Sequence, residues 1–246
     1  MSNQYIASLS YGKDSIAMLE VIKQNNMPLD RIVHVEIMAT KTIPADLPEM
    51  VEFKKKADKI IKQRYGIEVE HLKAKYSYEE YFYKKRTERS KYPNTAYGFP
   101  MIKSNWCNSQ LKANILKKFD KLGIIQYIGI AFDEPNRFKI LSDRKISPLV
   151  EYEITETQAK RICEELDLLS PIYKNSLRGG CWFCHNQTKK QLRFLRKNYP
   201  EYWELMLKWD KDSPVTFRTD GTTIHDFEIM FAFEDSQISI FNEVEI

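Results

Sequence analysis

Ser10-Tyr11-Gly12-Lys13-Asp14-Ser15 is the stretch on which the reading of this chain turns. Before it runs Gln4-Tyr5-Ile6-Ala7-Ser8-Leu9, a short β-rich run with the composition of a buried strand. After it, Ile16-Ala17-Met18-Leu19-Glu20-Val21-Ile22-Lys23 has helical spacing. The hexapeptide is therefore the turn at which a strand ends and a helix begins. A helix N-terminus presents unpaired backbone N–H groups and the positive end of the dipole, which together favour phosphate. Gly12 lets the backbone approach an anion, Ser10 and Ser15 offer hydroxyls, and Lys13 offers a point charge. Asp14 does not belong in a bare anion hole. Beside a bound phosphate it makes sense as a partner of Mg²⁺, whose ligands are oxygens and waters. The Walker A spacing is absent. The plainer alternative is a serine- and aspartate-capped helix after a turn.

Working outward, 246 residues suffice for one large domain, or one domain with an appendage. An apolar content of 43% and a charged content of 29% are those of a globular chain rather than a disordered one. No apolar run approaches the ~20 residues that span a bilayer, so no membrane partner is expected. The N-terminus lacks a basic stretch followed by a long apolar core, and the expected location is cytoplasmic. A formal net charge of +4 does not by itself require a nucleic-acid partner. With four cysteines, two of them in Cys181-x-x-Cys184, metal or redox use is expected rather than a disulfide scaffold.

Residues 31–37 read as a second strand, and strand–helix–strand predicts a parallel α/β sheet. Glu36 and Ile37 fall at its carboxyl end, where open parallel sheets bind ligands, whereas His34 reads as a packed strand histidine. Residues 46–65 predict a charged amphipathic helix with Gly66 as its C-cap, and residues 67–72 a third strand. Residues 76–98 hold six tyrosines and the basic run Lys84-Lys85-Arg86-Thr87-Glu88-Arg89-Ser90-Lys91. Aromatics interleaved with cations can bind single-stranded nucleic acid, but a helix with a solvated basic face is the preferred reading here.

Asn108 reads as the N-cap of a helix over 109–122, which sets Cys107 just before a helix start, where a thiolate is favoured. Residues 126–132 predict a further strand, followed by Asp133-Glu134-Pro135-Asn136-Arg137 at the ligand-binding edge. Arg137 suits bidentate phosphate binding, or equally a salt bridge on a surface turn. Residues 145–150 end the sheet, and the helix over 156–167 carries Ala159, Ile162, Cys163 and Leu166 on one apolar face, making Cys163 a core residue. The turn Gly179-Gly180-Cys181-Trp182-Phe183-Cys184-His185 places two thiolates together in a manner that suits zinc or an iron–sulfur cluster. Two cysteines do not complete a site. Cys107 is the best third ligand, His185 an awkward fourth, and a reducible disulfide or two buried thiols the plainer alternative. Residues 189–209 read as one or two amphipathic helices with a basic face, interrupted near Pro200.

The hexapeptide resembles the PP-loop, S-G-G-K-D-S, of the ATP pyrophosphatases in the adenine nucleotide α-hydrolase superfamily, with Tyr11 standing where that motif has glycine. Over residues 4–190 the chain resembles the phosphoadenosine phosphosulfate (PAPS) reductase-like family of that superfamily, several of whose members resemble the DNA phosphorothioation sulfurtransferase, an iron–sulfur protein. The resemblance rests on the loop, on Trp106-Cys107 with Leu111-Lys112, on Gly129 through Asp133-Glu134 to Arg137, on Ser147-Pro148-Leu149, and on Arg178-x-Gly180-Cys181-x-x-Cys184. It implies a Rossmann-like parallel sheet with flanking helices, ATP cleaved between its α- and β-phosphates, and adenine near residues 35–37. Two departures bear on the substrate. PAPS reductases generally lack the Lys-Asp pair that this chain has in Lys13-Asp14, which favours ATP over PAPS. They also use a cysteine in a carboxy-terminal Glu-Cys-Gly motif, whereas the last cysteine here is Cys184.

The sequence therefore predicts an α/β nucleotide-binding domain over residues 1–150 and a helical C-terminal region over 151–246 carrying the CxxC knuckle. The expected function is an ATP pyrophosphatase that adenylates an acceptor as part of sulfur transfer. The alternatives are a PAPS or adenylylsulfate reductase, or a nucleotide-sensing or nucleic-acid-binding module without turnover. ATP is expected on Ser10, Tyr11, Gly12, Lys13, Asp14, Ser15, Glu36 and Ile37, with Lys13, Asp14 and Arg137 catalytic. Mg²⁺ is expected at Asp14, and a 4Fe–4S cluster or Zn²⁺ at Cys107, Cys181 and Cys184. The acceptor, nucleic acid or small molecule, is left open, and so is a homodimer.

Overall fold

The computed structural model describes residues 3–100, 105–139, 142–174 and 179–243; Arg178, part of the knuckle motif, lies outside the described residues. The chain opens with β1 (Gln4–Ser8), α1 (Lys13–Gln24), β2 (Arg31–Glu36), α2 (Pro48–Tyr65), β3 (Val69–Lys73) and α3 (Tyr78–Phe82). A helical rod follows, made of α4 (Trp106–Asn108), a π-helical turn over Ser109–Ala113, α5 (Asn114–Leu116) and a 3₁₀ turn over Lys117–Phe119. Then come β4 (Ile124–Ile128), α6 (Pro135–Phe138), β5 (Lys145–Ile146), α7 (Pro148–Glu151) and α8 (Glu156–Glu165). A 3₁₀ turn over Pro171–Lys174 precedes α9 (Lys189–Asn198), α10 (Pro200–Asp212) and α11 (Ile224–Glu243). None of the described helices is long and apolar enough to cross a membrane.

The five strands form one parallel sheet in the order β3-β2-β1-β4-β5, the α/β architecture expected. Connections leave β1 towards one side and enter β4 on the other, so the strand order reverses at β1. The loop after β1 therefore opens at the switch point, where doubly wound sheets leave a crevice beyond the strand ends. Ala7 pairs with Ile32 on one side and Tyr127 on the other, and β1 is covered on both faces, with Ile6 and Ala7 fully buried. An apolar run rather than an alternation is what such a central parallel strand requires. Gly66 caps α2 with φ of +71°, the left-handed geometry expected of it.

The side chains sort into two main apolar clusters. One joins β1, α1, α2 and α8 through Ala7, Ile16, Leu19, Ala57, Ala159 and Cys163. The other joins α3, α4, the knuckle and α9 to α11 through Tyr78, Trp106, Trp182, Met206, Trp209 and Phe231. The clusters interleave along the sequence: α8 belongs with the sheet, while α3 and α4 belong with the C-terminal helices.

Two local expectations need correction. Residues 84–91 are not helical; they form one arm of a hairpin closed by an antiparallel bridge between Lys85 and Ala96, with Arg86 N–H donating to Thr95 O and Tyr97 N–H to Lys84 O. Cations spaced three and four apart repel on a helix, and Asn94, at φ of +60°, makes the reversal. Asn108 is not an N-cap. The rod begins at Trp106, whose buried indole donates Nε1–H to Gly98 O at 3.2 Å, so Cys107 lies inside the first turn. The rod ends at Phe119 rather than residue 122.

Beyond β4, residues 129–132 leave the sheet instead of extending it. Gly129 explains the departure. A Cβ there would stand 2.7 Å from the Ser15 nitrogen and 2.8 Å from the Asp14 carbonyl, atoms of a helix backbone that cannot yield as a side-chain tip can. Ser147, 2% exposed, fixes the next residue by donating Oγ–H to Ile130 O at 2.6 Å. Gly129→Ala should therefore destabilise the chain by about 1–3 kcal/mol through overpacking, read as a lower urea midpoint. An unchanged midpoint would mean that β4 and α1 do not abut as described.

Candidate nucleotide and cysteine site

The loop between β1 and α1 owes its shape to Tyr11. Its φ of +57° is left-handed, a conformation that costs an L-residue roughly 1–2 kcal/mol and glycine almost nothing. The tyrosine offsets that cost by burying its whole ring. Its Oη–H donates to Asp58, its edge meets the His34 ring at 4.7 Å between centroids, and His71 Nε2 stands 2.9 Å from Asp58 Oδ2. Burial first, then Asp58, pushes the phenol far above its ordinary pKa, so it remains a donor. The loop is pinned from beneath, and its upper side faces the crevice.

Above Tyr11, Ser10 N–H donates to Ser15 Oγ at 3.1 Å and Ser15 Oγ–H to Gly12 O at 3.0 Å. No side chain caps α1 at Gly12, and Lys13 N–H donates instead to Tyr173 Oη at 3.0 Å. The Lys13 ammonium lies 2.9 Å from Asp14 Oδ1 and 2.7 Å from Glu156 Oε1. Burial alone would lower its pKa, but the hydrogen bonds it donates to Glu156 and Asp14 outweigh that and hold it raised. Asp14 is shifted upward by burial, partly opposed by Lys13. Asp14, Glu134 and Glu156 each offer a carboxylate oxygen, all within 4.8 Å of one another. Glu134 also holds Arg137 at 2.7 Å.

A cavity of about 780 Å³ opens over the carboxyl ends of β1 and β2, inside the range of small-molecule sites. Ser10, Gly12, Lys13 and Asp14 of the loop line it, together with Gly179, Gly180, Cys181 and Cys184 of the knuckle and with Val35, Ile37, Lys112 and Arg137. A smaller cavity of about 330 Å³ shares Ser10, Lys112 and Arg137 and reaches Ser15. Glu36 is not among the lining residues and pairs with Lys73 at 2.9 Å; Tyr11 supports the loop from below.

Sequence reasoning did not single out Lys112 as a site residue, although it stands in the Leu111-Lys112 motif. No hydrogen bond or ion pair to a described residue holds its ammonium. Burial lowers its pKa, Cys181 and Asp46 work against the shift, and Lys54 and Arg137 add to it. A half-buried cation facing two other cations is poised for an anion. Lys54 is also new. It donates to His34 Nε2 at 2.9 Å and Asp46 Oδ2 at 2.5 Å, while His34 Nδ1–H donates to Leu9 O at 2.9 Å. These partners require the neutral Nδ1–H tautomer of His34.

The knuckle is a tight turn, Cys184 N–H donating to Cys181 O at 3.0 Å. Trp182 fastens it through Nε1–H to Pro44 O at 2.9 Å, and the Arg218 guanidinium donates to the carbonyls of His185 and Gln187. Cys107 comes to the same place. Burial, then the neighbouring Cys184, pushes its thiol up to about 11, and Cys181 is pushed well up by burial, Cys184, Asp46 and Cys107. Among the described residues, the three sulfurs do not all lie within 4.8 Å of one another. Cys163 is fully buried away from them; its Sγ lies 3.1 Å from Lys13 O, and burial pushes its thiol up to about 12.

Beside the three cysteines is Tyr78, fully buried, its hydroxyl without a hydrogen-bond partner. Burial first and then Cys107, Cys184 and Cys181 raise its pKa. An orphaned buried hydroxyl costs roughly 1–3 kcal/mol, and the ring that carries this one packs on Trp106 and Phe183, the neighbours in sequence of Cys107 and Cys184. A donor set of three thiols with an unspent O–H beside them fits a sulfur-rich metal group.

No family model matches the chain, and no curated protein matches it. Among solved structures it is similar to the U34-tRNA thiolase NcsA from Methanococcus maripaludis with its 4Fe–4S cluster, at 16% identity and a TM-score of 0.41, over 85% of this chain and 72% of that one. So slight a likeness carries no argument, and the case for function rests on the residues themselves.

His34 supplies a test of the site's electrostatics. Burial, then Lys54, pushes its pKa down to about 3 in the folded chain, while the unfolded imidazole titrates near its ordinary 6.5. Between these values the unfolded chain binds a proton that the folded chain does not. The stability is therefore full above pH ~6.5 and is lost as pH falls towards ~3. From pH 7 to pH 5 this residue should cost on the order of 2 kcal/mol, at about 1.4 kcal/mol per unit. His34→Gln should flatten the pH dependence of the urea midpoint in that window; equal pH sensitivity in both proteins would refute the assignment.

Proposed function

We propose that the chain is a PP-loop ATP pyrophosphatase that adenylates an acceptor in the service of sulfur transfer. The observation that carries this reading is one cavity lined by Ser10, Gly12, Lys13 and Asp14 of the loop, by Cys181 and Cys184, and by Lys112 and Arg137. In this reading Ser10, Gly12, Lys13 and Ser15 hold the β- and γ-phosphates at the start of α1. Adenine lies against Val35 and Ile37. Asp14, with Glu134 and Glu156, holds Mg²⁺ through carboxylate oxygens, and Lys13 turns from those carboxylates to the phosphates. Lys112 and Arg137 flank the α-phosphate. An acceptor oxygen attacks the α-phosphorus, the bond to the bridging oxygen breaks, and its electron pair leaves with pyrophosphate. The side chains contribute position and charge stabilisation. A sulfur nucleophile then attacks the acceptor carbon, and AMP leaves with the electron pair of the C–O bond.

Cys107, Cys181 and Cys184 would hold a 4Fe–4S cluster. Their spacing supports a cluster over one zinc ion, whose tetrahedral sulfurs would stand about 3.8 Å apart. A cluster on three thiolates supplies an open coordination position for a sulfur ligand. Nucleic acid is the acceptor class the surface supports. None of the five cations in residues 84–91 forms an ion pair with a described residue, whereas Arg193 and Arg196 on α9 are neutralised by Glu228, Glu234 and Asp235 on α11. Lys84 lies over Tyr76 at 5.3 Å and Lys91 over Tyr92 at 5.5 Å, and both rings are exposed. Stacking rings beside uncompensated cations suit a single strand, and the hairpin base meets Trp106, the residue before Cys107.

Pyrophosphate release from ATP and Mg²⁺ tests the reading. Lys13→Ala and Lys112→Met should each lower kcat/KM by about 100-fold, on the order of 3 kcal/mol, while Lys59→Ala on the exposed face of α2 should not. Since burial lowers the Lys112 pKa, kcat/KM should fall on the alkaline side before the ordinary lysine value of 10.5. Sulfite release from PAPS, without pyrophosphate release from ATP, would replace this reading with the reductase. Removing Cys107, Cys181 or Cys184 should lower iron content in protein purified without oxygen, whereas Cys163→Ala should cost mainly packing, about 1 kcal/mol. Charge reversal at Lys85, Arg89 and Lys91 should weaken binding of a fluorescent single-stranded oligonucleotide and flatten its salt dependence; unaltered binding would remove the hairpin from the acceptor site.

A further inference from the structure

The unpartnered hydroxyl of Tyr78 lies where three remote segments meet. Its ring stacks on Trp106 at 5.0 Å between centroids, packs on Phe183 at 4.1 Å and meets Trp209 at 5.1 Å. Trp106 adjoins Cys107, and Phe183 stands between Cys181 and Cys184, so the rings that clamp Tyr78 belong to the peptides that bear the thiols. Its backbone is held as firmly: Tyr78 N–H donates to Met38 O at 2.8 Å, and a Ser77–Glu80 capping box fixes the first turn of α3. The ring cannot swing away to find water. Tyr81 on the same short helix makes the contrast: it stacks on Trp106 at 4.8 Å and meets the Tyr97 ring at 4.9 Å, and its hydroxyl is not a buried orphan. Packing alone would be served by phenylalanine at position 78, as it is by Phe82 one turn on. The hydroxyl is an extra that the protein itself leaves unmatched.

We propose that the Tyr78 hydroxyl donates a hydrogen bond to a sulfur of the metal group held by Cys107, Cys181 and Cys184, positioning that group and setting its redox poise. The inference rests on the reading of the three cysteines as ligands and adds a residue to it. A donor to sulfur stabilises the more negative, reduced state of an iron–sulfur group. The same O–H has nothing to bond when the group is absent. Replacing it by hydrogen should then act with opposite sign in the two states: neutral or stabilising without metal, destabilising with it. A hydroxyl with an ordinary structural partner would destabilise both alike.

The experiment compares wild type, Tyr78→Phe and Tyr81→Phe, each purified without oxygen and examined loaded and after removal of metal by a chelator. Iron and sulfide content, redox midpoint and thermal midpoint are measured for each. In Tyr78→Phe the midpoint potential should move to more negative values, a tenfold change in the oxidised-to-reduced ratio corresponding to about 59 mV for a one-electron couple. Its metal-free thermal midpoint should equal or exceed that of wild type, while its loaded midpoint should fall below. Tyr81→Phe should leave the potential unchanged. A loaded Tyr78→Phe protein with the wild-type potential overturns the inference and leaves the cysteine site standing, and an equal shift in Tyr81→Phe overturns it as well. Wild-type protein that takes up no metal after anaerobic reconstitution with iron and sulfide overturns the reading of the cysteines, and the inference with it.

Discussion

The contact on which most else depends is the clamp of Trp106 and Phe183 on the ring of Tyr78. It joins α3, the start of the helical rod and the knuckle, pieces separated by up to a hundred residues of chain. Aromatic pairs of this kind add about 0.5–1.5 kcal/mol each beyond the area they bury, and here they are linked, Trp182 and Trp209 continuing the stack at 5.6 Å. Without that cluster Cys107 and the knuckle would have no common frame. The C-terminal helices are thus a scaffold for the cysteine end of the cavity, as the sheet is for the loop end.

Each end is held by burying a ring beneath a polar surface. Tyr11 anchors the loop from below and leaves Ser10, Gly12 and Lys13 facing the crevice. Trp182 anchors the knuckle, with its indole N–H tied to Pro44 O, and leaves Cys181 and Cys184 facing the same crevice. Pro44 and Ala45 belong to the segment that follows β2, so the knuckle is fastened to the sheet's carboxyl edge as well as to its own neighbours and the C-terminal helices. Because both anchors are rigid and largely buried, the spacing between loop and thiols is set by the fold and not by mobile side chains.

How much of this was legible depends on how local the cause was. Strand, turn and helix around Ser10–Ser15 are written in neighbouring residues, and so are the parallel sheet, Gly66 as a cap and Cys163 as core. The basic run at 84–91 misled because its composition suits a helix face, while the reversal at Asn94 and the carbonyls of Ala96 and Tyr97, which take the Arg86 guanidinium, decide for a hairpin. The start of the rod was misread for a related reason. Asn108 has the chemistry of a cap, but the burial of Trp106 against Gly98 pulls the helix start three residues earlier, from 109 to 106. Lys54 and Tyr78 could not have been singled out at all. Lysine on an amphipathic helix and tyrosine in an aromatic stretch are unremarkable until the partners at distant positions, or their absence, are known.

The charges of the cavity complete the picture. Lys13 is matched by Asp14 and Glu156, Lys54 by Asp46, and Arg137 by Glu134. Lys112 and the exposed Lys190 also line the cavity, and neither has a counter-charge among the described residues. Three of the five lining cations are neutralised, and of the two left unpaired Lys112 is the one partly desolvated, which favours a negative charge supplied from outside. The carboxylates that neutralise Lys13 are also the oxygens available to a divalent cation. Arrival of a metal–phosphate pair would therefore be an exchange, in which the metal takes the carboxylates and the released lysine takes phosphate, with little net charge buried. On the proposed reading, that exchange accounts for acidic residues crowding a site that receives an anion.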